Sequence, residues 1–265
     1  MSMQTVVSAD GTAIAYDTYG AGPAVVLVGG AFQTRDDPKF VHLAELLATS
    51  STVYSYDRRG RGDSGDAGSY TTGREVEDIA AILTAAGGEA MLFGMSSGAV
   101  LALDAAAALP ISKIAVYEPP FIVDDSRPPL PADYVATLDV LIAGGRQGDA
   151  AAYFMTQAAG VPAEYVDGMR QAPFFAAMEA VAHTLGYDGR IMGETMSGRP
   201  LPAERFGAIG VPALIVDGGA SVPHFASAAD ALAGLLPTSV RTTLEGQDHD
   251  VDPALLAPVL SRFFA

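Results

Sequence analysis

The chain has 265 residues, a length that suits one large domain or one domain with an insertion. Its 15 Lys and Arg residues are outnumbered by 31 Asp and Glu residues, and the net charge of −16 argues against binding to nucleic acid or to anionic membranes. The absence of cysteine excludes disulfides, thiolate metal sites and cysteine nucleophiles.

The N-terminal segment "MSMQTVVSADGTAIAY" has neither the basic start nor the apolar run of a signal peptide. The longest apolar runs elsewhere have only the length of a strand, which is too short to cross a bilayer as a helix. We therefore expect a cytoplasmic protein without a membrane span.

Strands and helices alternate over the first 118 residues. Two short strands are predicted around an Asp10-Gly11 turn, and the apolar run "AVVLV" after them is typical of a strand covered on both faces. The alternation continues through helix "FVHLAELLA", strand "STVYSYD", helix "REVEDIAAILTAAGG", strand "AMLFG", helix "SSGAVLALDAAAAL" and strand "ISKIAVYE". Repeated units of this kind predict an α/β fold with a mostly parallel central sheet and helices on both faces.

The alternation stops at residue 119. Residues 119–206 begin with the proline-rich segment "PPFIVDDSRPPLPADY" and continue with helical patterns, without a clear strand. Strands and helices then return as "PALIVD", "FASAADALAGLLP", "VRTTLEG" and "PALLAPVLSRFF". The sequence thus predicts a core made of residues 1–118 and 207–265, with residues 119–206 inserted as a helical cap.

The segment "GMSSG" at residues 94–98 contains the candidate nucleophile. It matches the pattern G-x-S-x-G, and a predicted strand enters it while a predicted helix leaves it, as a nucleophile elbow requires. The middle position of the pattern selects Ser96, whose hydroxyl such a turn exposes. Ser97 opens the helix, where its backbone N–H can face a developing oxyanion. The alternative interpretation is an ordinary serine at a helix N-cap.

Together with "VVLVGGAF", "YDRRGRGDSG", "VPALIVDGG" and "LEGQDHDVDP", this segment resembles the α/β-hydrolase family. The resemblance implies that His249, just after the last strand, is the catalytic base, and the order serine, acid, histidine along the chain agrees with it. It also implies a second oxyanion N–H after the early strand, for which Ala31 is the candidate and Phe32 the alternative. The family usually has His-Gly in this turn, whereas this chain has Gly29-Gly30.

The catalytic acid departs from the family pattern. Members of the family usually have Asp three residues after the glycine that follows the penultimate strand, and this chain has Ser221 there. Glu118, at the end of the strand "KIAVYE", is the favoured replacement, because certain haloalkane dehalogenases of this fold place their acid at that location. The alternatives are Asp217, an acid of the histidine loop (Asp248 or Asp250), or no acid at all.

The predicted insertion contributes apolar side chains that are typical of a pocket for an apolar substrate group. The candidate substrate-binding residues are Phe32, Phe174 and His183. The adjacent Asp36 and Asp37 are interpreted as the start of a helix rather than as a metal site, and the arginines of "YDRRGRGD" are expected to pair with nearby acids.

These observations predict a cofactor-free serine hydrolase that cleaves a carboxylic ester or related acyl bond of a small molecule through an acyl-enzyme. No metal is expected. One alternative is a carbon–carbon bond hydrolase or lyase on the same fold, which the residues of the insertion would decide. The other is a non-catalytic small-molecule-binding protein, which the displaced acid favours and the intact elbow opposes.

Overall fold

A computed structural model describes residues 3–265, which form one eight-stranded sheet. The strands are β1 (Gln4–Val7), β2 (Ala13–Gly20), β3 (Ala24–Val28), β4 (Thr52–Tyr56), β5 (Ala90–Met95), β6 (Ile111–Tyr117), β7 (Ala213–Gly218) and β8 (Ser239–Leu244). Their spatial order is β1-β2-β4-β3-β5-β6-β7-β8, and only the β1–β2 and β2–β4 pairs are antiparallel. The predicted mostly parallel sheet is confirmed.

Helices connect the strands. They are α1 (Pro38–Leu47), α2 (Thr72–Ala85), α3 (Ser97–Ala108), α4 (Tyr134–Ala143), α5 (Gln147–Gln157), α6 (Ala163–Met169), α7 (Pro173–Val181), α8 (Leu185–Met192), α9 (Ala203–Phe206), α10 (His224–Leu235) and α11 (Pro253–Phe264). Short 3₁₀ turns occupy Ala182–Thr184 and Gly193–Met196. Asp37 caps α1, since its carboxylate accepts hydrogen bonds from the amides of Lys39 and Phe40 at 3.0 and 3.2 Å.

The sheet is covered on both faces, as the apolar strands predict. Strand β3 divides its side chains by alternation: Val26 and Val28 face the core beneath α2, α3 and α10, whereas Val25 and Leu27 face the core beneath α1 and α11. Helix α3 is buried around most of its circumference, because its alanines and Gly98 let it lie close to the strands. This packing fixes the start of α3 directly above the end of β5.

Residues 119–206, which we call the insertion, contain α4 to α9 and no strand. Side chains of α4, α5, α7 and α8 form a separate small core around Leu138 and Leu185. The two ends of the insertion instead join the main core, where the rings of Phe121 and Phe206 lie 5.6 Å apart and fully buried. The insertion is therefore anchored at both ends, and its division from the core near residues 119 and 206 remains a proposal.

No helix within residues 3–265 combines the length and the apolar character needed to cross a bilayer.

Candidate active site

Ser96 lies in a sharp turn between β5 and α3. Its backbone has φ 56° and ψ −129°, a left-handed conformation that is strained for a residue with a side chain. Its amide donates a hydrogen bond to the carbonyl of Tyr117 at 3.0 Å, which ties the turn to the neighbouring strand β6. This strand–turn–helix geometry is that of a nucleophile elbow.

Glycines make the turn possible by allowing close backbone approach. A Cβ atom on Gly98 would lie 2.4 Å from the carbonyl oxygens of Gly29 and Val28. A Cβ atom on Gly94 would lie 2.5 Å from the carbonyl oxygen of Gly98. Both glycines of the G-x-S-x-G pattern are therefore required by sterics.

We expect Gly98→Ala to destabilise the fold by at least about 1–3 kcal/mol, the usual range for overpacking, because the new methyl group meets rigid backbone. Gly234→Ala is the matched control, since Gly234 lies within α10 and nothing would lie within 4 Å of its Cβ. Alanine should be neutral there or stabilising by up to about 1 kcal/mol. Urea denaturation of both variants measures the difference, and equal midpoints would contradict the steric argument.

Glu118 and His249 are in direct contact. Oε2 of Glu118 lies 2.7 Å from Nδ1 of His249, although the two residues are 131 positions apart in the chain. The carboxylate is buried, with 1% exposure. Because a carboxylate accepts hydrogen bonds, Nδ1 carries the hydrogen, and Nε2 is left free to accept a proton.

The other oxygen of Glu118 is also held. Oε1 accepts hydrogen bonds from the amide of Gly218 at 2.7 Å and from the hydroxyl of Ser221 at 2.5 Å. Ser221 stands at the position where the resemblance predicts an acid, and its hydroxyl there binds the Glu118 carboxylate. Glu118 itself has φ 46°, a second strained backbone at this edge of the sheet.

The alternative acids point elsewhere. Asp217 accepts hydrogen bonds from Arg241 at 3.0 and 3.2 Å and from Thr243 at 3.1 Å. Asp250 forms an ion pair with Lys39, and the side chain of Asp248 accepts the amide of Asp250 at 2.9 Å. Among residues 3–265, Glu118 is the carboxylate that forms a hydrogen bond with His249.

The predicted oxyanion donors lie beside Ser96. The amides of Ala31, Phe32 and Ser97 donate no hydrogen bond within the described part of the chain. Phe32 has φ 64°, and Gln33 shapes the turn because its side chain accepts the amide of Gly30 at 2.6 Å. Free amides next to a strained serine are the arrangement that stabilises a tetrahedral oxyanion.

A cavity of about 670 Å³ opens above these groups and is lined by both the core and the insertion. Ser96, Ser97, Ala31 and His249 line it from the core. The insertion contributes mainly apolar side chains: Tyr134, Phe154, Met155, Met192 and Met196. Phe32 also lines it, and its ring packs edge-on against Phe154 at 5.1 Å.

A family model described as the alpha/beta hydrolase family matches residues 25–259. The chain belongs to the alpha/beta hydrolase family. It is similar to an alpha/beta hydrolase from Sphaerobacter thermophilus DSM 20745, with 54% identity and a TM-score of 0.91 over 99% of this chain and 100% of that one.

Two further proteins are similar to this chain over a shorter stretch or at lower identity. The uncharacterized hydrolase YraK of Bacillus subtilis is 39% identical over 98 residues, which span 36% of this chain and only 35% of YraK. An esterase from Thermogutta terrifontis is 19% identical, with a TM-score of 0.71 and full coverage of both chains, and shares the fold.

Two predicted substrate-binding residues lie outside the cavity of this alpha/beta hydrolase. Phe174 is half-exposed on α7, because the inward side of that helix is taken by its neighbour Phe175. His183 lines a separate surface depression with Arg146 and Glu179. Neighbouring residues of a helix point about 100° apart, so Phe174 and Phe175 face different sides of α7. The sequence alone does not show which of the two faces inward.

Asp188 of α8 is a buried carboxylate beside the site that no local sequence pattern predicts. Its oxygens bind Arg58 at 2.7 Å and Arg61 at 2.6 Å, and it also accepts the hydroxyl of Ser97 at 2.7 Å. Glu75 completes the cluster by binding Arg58 at 2.6 and 2.8 Å. Burial raises the pKa of Asp188, but the charges of Arg61 and Arg58 outweigh it and hold the pKa below its usual range.

The same arginines hold the candidate oxyanion loop. Arg58 donates to the carbonyl of Gly29 at 3.3 Å, and Arg61 donates to the carbonyl of Gly30. The cluster therefore joins the insertion, the start of α3 and the turn after β3. The expected pairing of these arginines with acids is observed, and only the long-range partner, Asp188, had no local signal in the sequence.

His224, at the start of α10, is a buried histidine of the cavity wall, with 5% exposure. Burial, followed by the positive charges of Arg127 and His249, lowers its pKa from 6.5 to about 4, and Asp124 opposes the shift.

Within residues 3–265, no group of three or more His, Asp or Glu side chains is placed to hold a metal ion.

We expect His224 to make the fold less stable in acid. Its pKa is lower in the folded than in the unfolded protein, so between pH 6.5 and about 4 the unfolded protein binds more protons and stability falls as pH falls. The loss should be on the order of 2 kcal/mol. Urea denaturation at pH 7 and pH 4.5 should show a smaller loss in His224→Asn than in wild type, and parallel losses would contradict this assignment.

Proposed function

We propose that this alpha/beta hydrolase is a serine hydrolase that cleaves carboxylic esters or related acyl bonds through an acyl-enzyme intermediate. The observation that carries the proposal is the contact of buried Glu118 with His249 at the rim of the cavity that also exposes Ser96. An acid, a base and a strained serine that follow three strands of one sheet are the parts of a catalytic triad.

The chemistry follows from these positions. Nε2 of His249 takes the proton of the Ser96 hydroxyl as the serine oxygen attacks the substrate carbonyl carbon. The amides of Ala31 and Ser97 bind the negative oxygen of the tetrahedral intermediate. His249 then gives the proton to the leaving oxygen, and the carbon–oxygen bond of the ester breaks to leave the acyl group on Ser96.

Water completes the cycle by the same steps in the second half. His249 takes a proton from water, the resulting hydroxide attacks the acyl carbon, and Ser96 recovers its proton as the acid is released. Glu118 stays ionised throughout, holds Nδ1 in its protonated tautomer and stabilises the imidazolium. The apolar side of the cavity suits an aliphatic or aromatic part of the substrate.

Solved structures with a similar fold include a deformylase, an esterase and an enol-lactonase, so the fold is compatible with several reactions at acyl bonds. These neighbours are 18–19% identical, so they support the fold and leave the reaction to the residues of the site.

We expect a fluorophosphonate probe to label the folded protein on Ser96, as identified by peptide mass spectrometry. Ser96→Ala should abolish both labelling and ester hydrolysis while leaving the unfolding midpoint close to that of wild type. Ser227→Ala, on the surface side of α10, is the matched control and should retain both. Absence of labelling in the folded wild-type protein would refute the nucleophile assignment.

A further inference from the structure

Arg127 is a cation without a carboxylate partner in the wall of the active-site cavity. Within residues 3–265, every other arginine except Arg262 has a carboxylate oxygen within 4 Å. In a chain with twice as many acids as bases, an arginine that is left without an acid is unusual.

The position of Arg127 is fixed by the end of α5. Its guanidinium donates to the carbonyls of Ala158 at 2.9 Å and Gln157 at 2.8 Å. These bonds use two of the five N–H groups of the guanidinium and supply no full negative charge. Burial lowers the pKa of Arg127, which reflects the cost of holding an uncompensated cation away from water.

A second polar group without a partner lies in the same wall. Nε2 of His224 is buried and has no hydrogen-bond partner among the described residues. Buried polar atoms are usually satisfied, so an unpartnered one in a cavity wall is available to a polar group of a ligand. The ring of Phe225 packs against His224 at 4.2 Å and against His249 at 4.8 Å between centroids, so this wall adjoins the candidate catalytic base.

The acids that line the cavity are engaged elsewhere. Asp188 is held by Arg58 and Arg61, and Asp250 pairs with Lys39. Asp37 caps α1, and Asp248 accepts a backbone amide. None of them forms a salt bridge with Arg127, so its charge is available to a ligand.

We propose that Arg127, assisted by His224, binds a carboxylate of the substrate, so that the preferred substrates are monoesters of dicarboxylic acids or similarly anionic acyl compounds. This inference rests on the proposed hydrolase function. A planar guanidinium can bind a carboxylate through two parallel hydrogen bonds, and the neutral imidazole can donate a third. The apolar side chains of the insertion then surround the chain between the carboxylate and the acyl carbon.

Two esters test the inference: monomethyl glutarate, and methyl hexanoate as its neutral match in length. We expect wild type to prefer monomethyl glutarate in kcat/KM measured by titration of the released acid. Arg127→Gln should reduce this preference by about 10- to 100-fold, the usual effect of losing a charge-assisted hydrogen bond. Arg127→Lys keeps the charge and a donor to the α5 carbonyls, and should retain part of the preference.

Arg146→Gln is the matched control, because Arg146 is an exposed arginine of the insertion that does not line the cavity. It should leave both the preference and the activity unchanged. If wild type shows no preference, or if Arg127→Gln lowers kcat/KM for both esters equally, the inference is wrong.

Calorimetry with Ser96→Ala protein separates the inference from the proposed function, since binding needs no hydrolysis. Monomethyl glutarate should bind this variant more tightly than methyl hexanoate does, and the additional Arg127→Gln change should remove the difference. Should wild type hydrolyse neither ester while monomethyl glutarate still binds through Arg127, the reaction fails and the anion subsite stands. Equal binding of the two esters overturns the subsite.

Discussion

Glu118→Gln should lower kcat for ester hydrolysis by about 10³- to 10⁴-fold, the scale typical of losing a triad carboxylate. The amide would present its NH₂ group or a neutral oxygen to Nδ1 of His249, which sits 2.7 Å from Oε2 in the present protein. An amide donor there holds the imidazole with its hydrogen on Nε2, so the ring can no longer accept the serine proton. Steady-state kinetics on any hydrolysed ester measures the loss.

Asp217→Asn is the matched control for this substitution. Asp217 is as buried as Glu118 and lies on the neighbouring strand, but its carboxylate pairs with Arg241. We expect Asp217→Asn to lower the stability of the fold and to change kcat by less than about threefold. A threefold change corresponds to a barrier change of under about 1 kcal/mol. A large loss of kcat in Asp217→Asn with normal kcat in Glu118→Gln would reverse the assignment of the acid.

A double variant tests whether an acid at position 221 can restore the kcat that Glu118→Gln loses. Ser221 occupies the position where the family usually carries the acid, and its hydroxyl lies 2.5 Å from Oε1 of Glu118. We therefore expect Glu118→Gln combined with Ser221→Asp to recover at least about tenfold of the lost kcat, or about 1.4 kcal/mol of barrier. Recovery would show that one histidine can be supported from either strand end.

Asp188→Asn should destabilise the protein by about 3–5 kcal/mol, the usual cost of breaking a buried ion pair. The carboxylate has side-chain exposure of 3% and neutralises two guanidiniums that are themselves 2% and 0% exposed. Its removal leaves Glu75 as the partner of Arg58 and leaves Arg61 without an ion pair. Urea denaturation followed by circular dichroism measures the change.

The same substitution should lower kcat by about 10- to 100-fold, because small misplacements of catalytic groups have effects of this size. Asp188 binds the Ser97 hydroxyl and the arginines that hold the carbonyls of Gly29 and Gly30. Asp139→Asn is the control in the insertion, since Asp139 is half-exposed and pairs with Arg190 at the surface. It should cost less than about 1 kcal/mol and leave kcat unchanged; similar effects of the two substitutions would contradict a special role for Asp188.

The sequence by itself determined the alternation of strands and helices, the helical insertion between β6 and β7, and the turn that strains Ser96. These features depend on neighbours in the chain: period-two and period-3.6 apolar patterns, a G-x-S-x-G turn, and Gly94 and Gly98 where a side chain would collide with backbone. Local steric constraints and apolar periodicity depend on residues that are close together in the chain, so a single sequence is enough to predict them.

Tertiary structure decided which groups meet at the site. The contact of Glu118 with His249 spans 131 positions and that of Arg61 with Asp188 spans 127, and the sequence left four possibilities for the acid and no signal for Asp188. In the tertiary structure, Phe174 and His183 lie outside the cavity, whereas Arg127 and His224 lie in its wall. Contacts of this kind depend on how strand ends and the insertion pack, and no local pattern encodes that packing.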